Sequence, residues 1–247
     1  MKGSKALVTG GTRGIGRAVA RELARRGCDV ACVYLRSRSA AEEAEAELRA
    51  FGVDVLVQRA DVRDPESLDE VFSAVRDRWG RLDHLVSNAV LGVLRPAAEL
   101  ADRAWDVCMD ANARAFLRCG QRALPLFPER GGSIVVLSSI GAHRCLPGYA
   151  GIGAAKGAIE TLVRYMAKEW GPRGVRVNAV SGGPVDTEAL RTFPEWREMV
   201  RRTVADTPLG RFGAPEDLAR VVVWLLSEEA GWITGQTVLA DGGLTLA

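Results

Sequence analysis

Ala6-Leu7-Val8-Thr9-Gly10-Gly11-Thr12-Arg13-Gly14-Ile15-Gly16 decides the fold. A short apolar strand runs into a glycine-rich break, and a helical pattern then continues from Arg17 to Arg26 and stops at Gly27. Glycine-rich strand–helix turns are common, so placement carries the argument. Gly10, Gly14 and Gly16 sit between the first strand and the first helix, together with Thr12, Arg13 and Ile15. Glycine lets the backbone approach a pyrophosphate, and the helix start offers free N–H groups and the positive end of a dipole. The loop is therefore expected to cradle a dinucleotide.

Working outward, strand and helix patterns alternate to the end of the chain. Strands are expected at 30–34, 54–57, 85–87, 134–137, 175–180 and 237–239, and helices at about 40–51, 67–79, 103–127, 149–170 and 217–226. Such alternation predicts an α/β fold, a single-domain, doubly wound parallel sheet of about seven strands with helices on both faces. No repeat or linker divides residues 1–247. Between 182 and 214 regularity falls away, with prolines at 184, 194 and 208, and this stretch is expected to form a substrate-binding lid. Leu190, Phe193, Trp196, Met199, Leu209 and Phe212 would suit a cover over an acyl chain, and equally suit core filling or a subunit contact.

The 247 residues are 47% hydrophobic and 26% charged, ordinary for a globular chain, and a net charge of +2 is too small to argue for a nucleic-acid surface. Cys28, Cys32, Cys108, Cys119 and Cys145 show no metal-ligand spacing; reduced thiols in a cytoplasmic protein are expected, with no metal. The N-terminus passes straight into a strand, so no secretory leader is expected, and no apolar stretch is long enough to span a membrane.

About twenty residues past the glycine loop, an acid would receive a ribose 2′-hydroxyl, whereas an arginine accommodates a 2′-phosphate. The chain has Leu35-Arg36-Ser37-Arg38 there, with Arg13 as a second clamp. Paired guanidinium forks match phosphate geometry, which favours NADPH over NADH; solvated surface arginines are the bland alternative. A second polar stretch follows the strand at 134–138. It places Ser139 at the strand end, then Tyr149 and Lys156 seven residues apart on a helix, about 10 Å along its axis and on one face. A phenol that lends a proton and an ammonium that anchors a ribose are what a nicotinamide reductase needs.

Over its whole length the chain resembles the short-chain dehydrogenase/reductase family, a Rossmann-type fold. Thr9–Gly16 looks like that family's cofactor motif, and Asp61-Val62 falls where its members touch the adenine. Ser87-Asn88-Ala89 matches most of an Asn-Asn-Ala-Gly element, with Val90 replacing the glycine. Asn112 and Asn178-Ala179-Val180 also fall in place. The family's common Tyr-x3-Lys would put tyrosine at 152, where this chain has Ile152. Tyr149-x6-Lys156 instead resembles the enoyl-acyl-carrier-protein reductases, and Ser139 stands where their best-known members carry another tyrosine. Gly92-Val93-Leu94-Arg95-Pro96, Asn178 to Gly183 and Asp186-Thr187-Glu188-Ala189-Leu190 are most similar to the NADPH-dependent type III enzymes of that group, and Gly182 replaces a proline usual in the wider family.

The resemblance implies hydride transfer from NADPH to the β-carbon of an enoyl thioester, with Tyr149 stabilising the enolate. Lys156 would hold the nicotinamide ribose, Ser139 would orient Tyr149 or touch the carbonyl, and Gly183, Val185 and Thr187 would line the nicotinamide. It also implies an acyl carrier protein or coenzyme A as carrier, a place in fatty acid biosynthesis or specialised metabolism, and a homodimer or homotetramer. Arg191, Arg197, Arg201 and Arg202 would suit an acidic carrier, although solvated charge is the simpler reading. Two other readings stand beside this one: a ketoreductase of β-ketoacyl thioesters that uses the displaced Tyr149, and an NADPH-binding protein without turnover.

Overall fold

In a computed structural model, which describes residues 1–191 and 196–246, helix α1 (Gly14–Arg25) starts inside the glycine loop, three residues before the apolar periodicity begins. It follows β1 (Lys5–Thr9) and leads to β2 (Asp29–Tyr34), α2 (Arg38–Arg49) and β3 (Val55–Arg59). Next come α3 (Pro65–Trp79), β4 (His84–Ser87), α4 (Asp102–Met109), α5 (Ala115–Ala123) and β5 (Ser133–Ser139). The chain continues through α6 (Ala150–Trp170), β6 (Arg176–Gly182), α7 (Glu188–Arg191), α8 (Trp196–Asp206), α9 (Pro215–Leu226) and β7 (Thr237–Ala240). Local chemistry sets several boundaries. Asp64 caps α3 by accepting from Glu66 and Ser67 N–H, Pro65 occupies its first turn, and Gly80 closes it in the left-handed conformation.

The described residues build one seven-stranded parallel sheet in the order β3-β2-β1-β4-β5-β6-β7. Successive crossovers run outward from β1 to β3, then return to place β4 on the other side of β1. The loops leaving β1 and β4 therefore diverge and open a crevice at the carboxyl end of the sheet. Each face carries its own core. One joins Val19 and Leu23 of α1, Leu48 of α2 and Leu218, Val222 and Leu225 of α9; the other joins Leu68 and Phe72 of α3, Phe116 of α5 and Ile159 and Val163 of α6. Burying a side chain of this size stabilises by roughly 1.5–3 kcal/mol.

The helical region over 103–127 is present, with α4 and α5 joined by a π-helical turn, Asp110–Arg114. One expectation about helices changes. Tyr149 is not on the helix with Lys156 but occupies the position before its first residue, at φ −95° and ψ 7°, and Gly153 N–H donates to its carbonyl. The sequence motif survives, but the shared helix face does not. Along α1 the arginines are paired as a solvated face requires: Arg25 and Arg26 with Glu22, and Arg17 with Glu47. Among the described residues, no helix is long and apolar enough to cross a membrane, and no His, Cys, Asp and Glu cluster could hold a metal ion.

Candidate active site

The crevice between β1 and β4 is held together by side chains from both strands. Thr9 Oγ1 accepts from Asn88 N–H at 3.0 Å and Ala89 N–H at 3.1 Å, while Asn88 Nδ2 donates to the Thr9 and Gly10 carbonyls at 3.0 and 3.1 Å. The glycine loop is pressed onto this staple. A Cβ on Gly16 would lie 2.5 Å from Asn88 Nδ2 and would overlap the Gly10 carbonyl, so position 16 must be glycine for α1 to start here. Above it opens a groove of about 550 Å³. Gly10, Thr12, Arg13, Gly14, Ile15, Arg36, Ser37, Asp61, Val62, Asn88, Ala89 and Thr187 all line it. Thirteen residues of the expected cofactor set are thereby gathered at one place, counting Gly16 beneath the loop.

Charge is distributed unevenly along the groove. Arg13 and Arg36 are exposed at its rim and form no ion pair with a described residue, whereas Arg38 turns away to Glu42. Ser37 Oγ accepts from Ala40 N–H and starts α2. Asp61 is held by Arg63, whose Nη2 donates to Oδ2 at 2.6 Å and whose Nε reaches Oδ1 at 3.0 Å. That hydrogen bond holds the Asp61 carboxyl below the usual carboxylate range, and the Arg36 charge adds to the effect. Arg63 is a groove residue that sequence pattern did not reveal; only its place two residues past Asp61, in the same turn, hinted at it.

Tyr149 is set by close approaches around it. Its hydroxyl lies near the Ser139 side chain, and a Cβ on Gly141 would lie 2.5 Å from its ring. Arg95 N–H donates to the Gly148 carbonyl at 2.8 Å, which ties the 91–96 loop to the approach to Tyr149. Burial pushes the phenol above its ordinary value, opposed by the nearby Ser139 hydroxyl. Lys156 is buried, and its Nζ donates to the Leu137 carbonyl at 2.8 Å and not to Tyr149. Burial lowers its ammonium to about 8. Ile152, one turn before Lys156, is 7% exposed and carries no proton.

Asn112 lies in the π turn. Its Nδ2 donates to the Cys108 carbonyl at 2.8 Å and to the Leu91 carbonyl at 2.8 Å, which ties the turn to the loop after β4. Its Oδ1 is buried with no partner, an acceptor left open in the protein interior.

Three expected cofactor residues fall outside the groove, the first being Lys156, buried behind it on α6. Gly183 and Val185 line a separate cavity of about 190 Å³ with Thr207, Leu209 and Asp241 rather than the groove, because Gly183 turns against Asp241 after β6. In the 182–214 stretch, Leu190, Trp196, Met199 and Phe212 are half-buried and Leu209 is 68% exposed, so none fills the core. Trp196 and Phe212 pack edge to face at 5.4 Å. Phe193 and Pro194 lie outside the described residues. Arg191 is paired with Asp186, and Arg201 and Arg202 with Glu198, while Arg197 forms no ion pair with a described residue.

Residues 10–245 match a family model described as Enoyl-(Acyl carrier protein) reductase. The chain is 40% identical to a 1-cyclohexenylcarbonyl-CoA reductase from Streptomyces collinus, over 97% of this chain and 86% of that protein. It is 35% identical to a 3-oxoacyl-[acyl-carrier-protein] reductase from Staphylococcus aureus, over 97% of each. Among solved structures, a mutant of a short-chain dehydrogenase/reductase from Serratia marcescens superposes with a TM-score of 0.93 at 34% identity, covering 99% of this chain and 98% of the other.

Proposed function

The chain belongs to the short-chain dehydrogenase/reductase family, whose members are oxidoreductases that use a nicotinamide cofactor, and we propose that it uses NADPH to reduce the carbon–carbon double bond of an enoyl thioester. The observation that carries this reading is Tyr149, its hydroxyl near Ser139, standing three residues before Ile152, which offers no proton of its own.

The groove fits the cofactor by its own chemistry. It has a backbone cradle that a Cβ at position 16 would fill, and two unpaired guanidinium groups at the end where a 2′-phosphate would lie. Gly10 to Gly16 would hold the pyrophosphate; Arg13, Arg36 and Ser37 the 2′-phosphate; Asp61 and Val62 the adenine; and Asn88, Ala89, Thr187 and Lys156 the nicotinamide half. Bound there, the cofactor supplies a hydride. Tyr149, protonated throughout the neutral range, donates a hydrogen bond to the thioester oxygen as negative charge builds on it. Ser139 keeps the phenol aimed at that oxygen. The Lys156 ammonium favours the charge build-up from behind and loses its proton near pH 8, so turnover should fall above that point. The half-buried apolar residues of 182–214 would cover the acyl group, and coenzyme A or an acyl carrier protein would deliver it.

Reduction of a 3-oxoacyl thioester is the second reading, favoured by the Staphylococcus aureus relative. Following NADPH oxidation with crotonyl-CoA, 1-cyclohexenylcarbonyl-CoA and acetoacetyl-CoA in parallel, with mass spectrometry of the products, separates the two. Saturated products from the first two substrates support the enoyl reading. Turnover of acetoacetyl-CoA alone replaces it with the second.

A further inference from the structure

One buried acid takes no part in the chemistry above. Glu160 stands on α6 one turn beyond Lys156, with 4% of its side chain exposed. Both carboxylate oxygens are engaged. Ser138 Oγ donates to Oε1 at 2.6 Å, and His143 Nε2 lies 2.6 Å from Oε2. The imidazole is 61% exposed and lies between the carboxylate and solvent. A leucine at this helix position would bury the same volume without the desolvation cost of a carboxylate, which reaches several kcal/mol in protein interiors. A burial this costly asks for a purpose.

Its partners lie on either side of a short turn. Ser138 is the penultimate residue of β5, and His143 follows the 3₁₀ turn Ile140–Ala142. Between them, Ser139 Oγ accepts from Gly141 N–H at 3.2 Å, and the Tyr149 ring lies on Gly141. Glu160 thus grips both ends of the segment that carries Ser139 and supports the Tyr149 ring. The remainder of the loop is secured further along, by Arg144 on the Thr245 carbonyl and Arg95 on the Gly148 carbonyl. Neither of those contacts reaches the 138–143 turn.

We propose that Glu160 is a positioning residue that clamps the 138–143 turn to α6 and so keeps the Ser139–Tyr149 pair aimed at the substrate oxygen. The role of that pair rests on the enoyl reductase reading; the clamp itself does not. Glu160→Leu, Glu160→Gln and His143→Ala are compared with the parent by hydrogen exchange of peptides covering 138–149, by NADPH titration and by turnover. In Glu160→Leu, exchange in 138–149 should rise about tenfold while β1 and β4 keep their protection. Turnover number should fall about tenfold with NADPH affinity unchanged. The amide of Glu160→Gln keeps an acceptor for Ser138 and should restore most of both readouts.

Unchanged exchange in Glu160→Leu overturns the clamp, and faster exchange with unchanged turnover overturns the positioning role. NADPH affinity falling in step with turnover also overturns it, because the damage would then be general. If Glu160→Leu does not fold, His143→Ala decides, since it removes one half of the clamp from an exposed site; parental exchange at 138–149 in that variant refutes the proposal. A parent inert toward every thioester would overturn the reaction reading, and the exchange data would still judge the clamp.

Discussion

Lys156→Met should make the cofactor-free protein more stable at neutral pH while abolishing turnover. Burial lowers the Lys156 ammonium from 10.5 to about 8. Each pKa unit is worth about 1.4 kcal/mol, so holding the charge inside the fold costs about 3 kcal/mol at pH 7. Methionine keeps the apolar stem and removes that cost, but loses the donor to the Leu137 carbonyl, worth about 1 kcal/mol. A net gain of about 2 kcal/mol is expected at pH 7. Its pH dependence is the sharper signature. The folded pKa is lowered below the unfolded one, so the unfolded chain binds the proton more tightly between about pH 8 and 10.5. The parent therefore gains stability relative to the variant as pH rises through that window. Urea unfolding of both proteins should show the gap narrowing by about 2 kcal/mol between neutral pH and about pH 9.5. Other titrating groups cancel in this difference. A gap that stays constant with pH would refute the account of Lys156 as a charge confined by burial.

Tyr149→Phe should retain NADPH affinity and lower turnover by about two orders of magnitude, the usual cost of removing one donor to a developing oxyanion; parental turnover would exclude the phenol from the reaction. Arg36→Asp should weaken NADPH by about a hundredfold and leave NADH nearly untouched, because the change removes a charge-assisted bond to the 2′-phosphate. Equal losses for both cofactors in fluorescence titration would remove that phosphate from the rim. Gly16→Ala should cost about 1–3 kcal/mol of stability through overpacking and should abolish cofactor binding, since its Cβ meets Asn88 Nδ2 at 2.5 Å and overlaps the Gly10 carbonyl. An alanine variant that melts and binds like the parent would show that the loop yields without cost.

What could be read in the sequence divides along the range of the interactions. Strand–helix alternation and the glycine spacing are local, and they anticipate the parallel sheet, its crevice and the glycine loop that lines it. The π turn escaped because one inserted residue scarcely disturbs apolar periodicity across 103–127, and only the Asn112 bonds to Leu91 and Cys108 expose it. The helix expected from Tyr149 begins one residue later, at Ala150, a shift smaller than helical pattern can resolve. Gly183 and Val185 line a cavity beside Asp241, a contact across more than fifty residues that no local pattern carries. The same holds for Glu160, whose partners Ser138 and His143 belong to a different element.

The substitution at position 152 is coupled to its surroundings. A Cβ on Gly92 would lie 2.6 Å from Ile152 Cδ1, so the side chain can occupy its site only because the 91–96 loop has a glycine there. A Cβ on Gly151, beside it, would reach Cys108 Sγ at 3.1 Å and Leu100 Cδ2 at 3.3 Å, so the first turn of α6 already packs at contact distance. The apolar residue is thus packed into the protein, and the phenol near this turn is that of Tyr149, beside Ser139. Moving the phenol three residues toward the N-terminus transfers it from a helix side to a helix entrance, where a loop and not the helix backbone sets its direction. A donor placed that way depends on what holds the loop, which here is Gly141 against the ring, Arg95 on the Gly148 carbonyl and Glu160 at the base of the turn. The displaced tyrosine and the buried carboxylate are two parts of one arrangement.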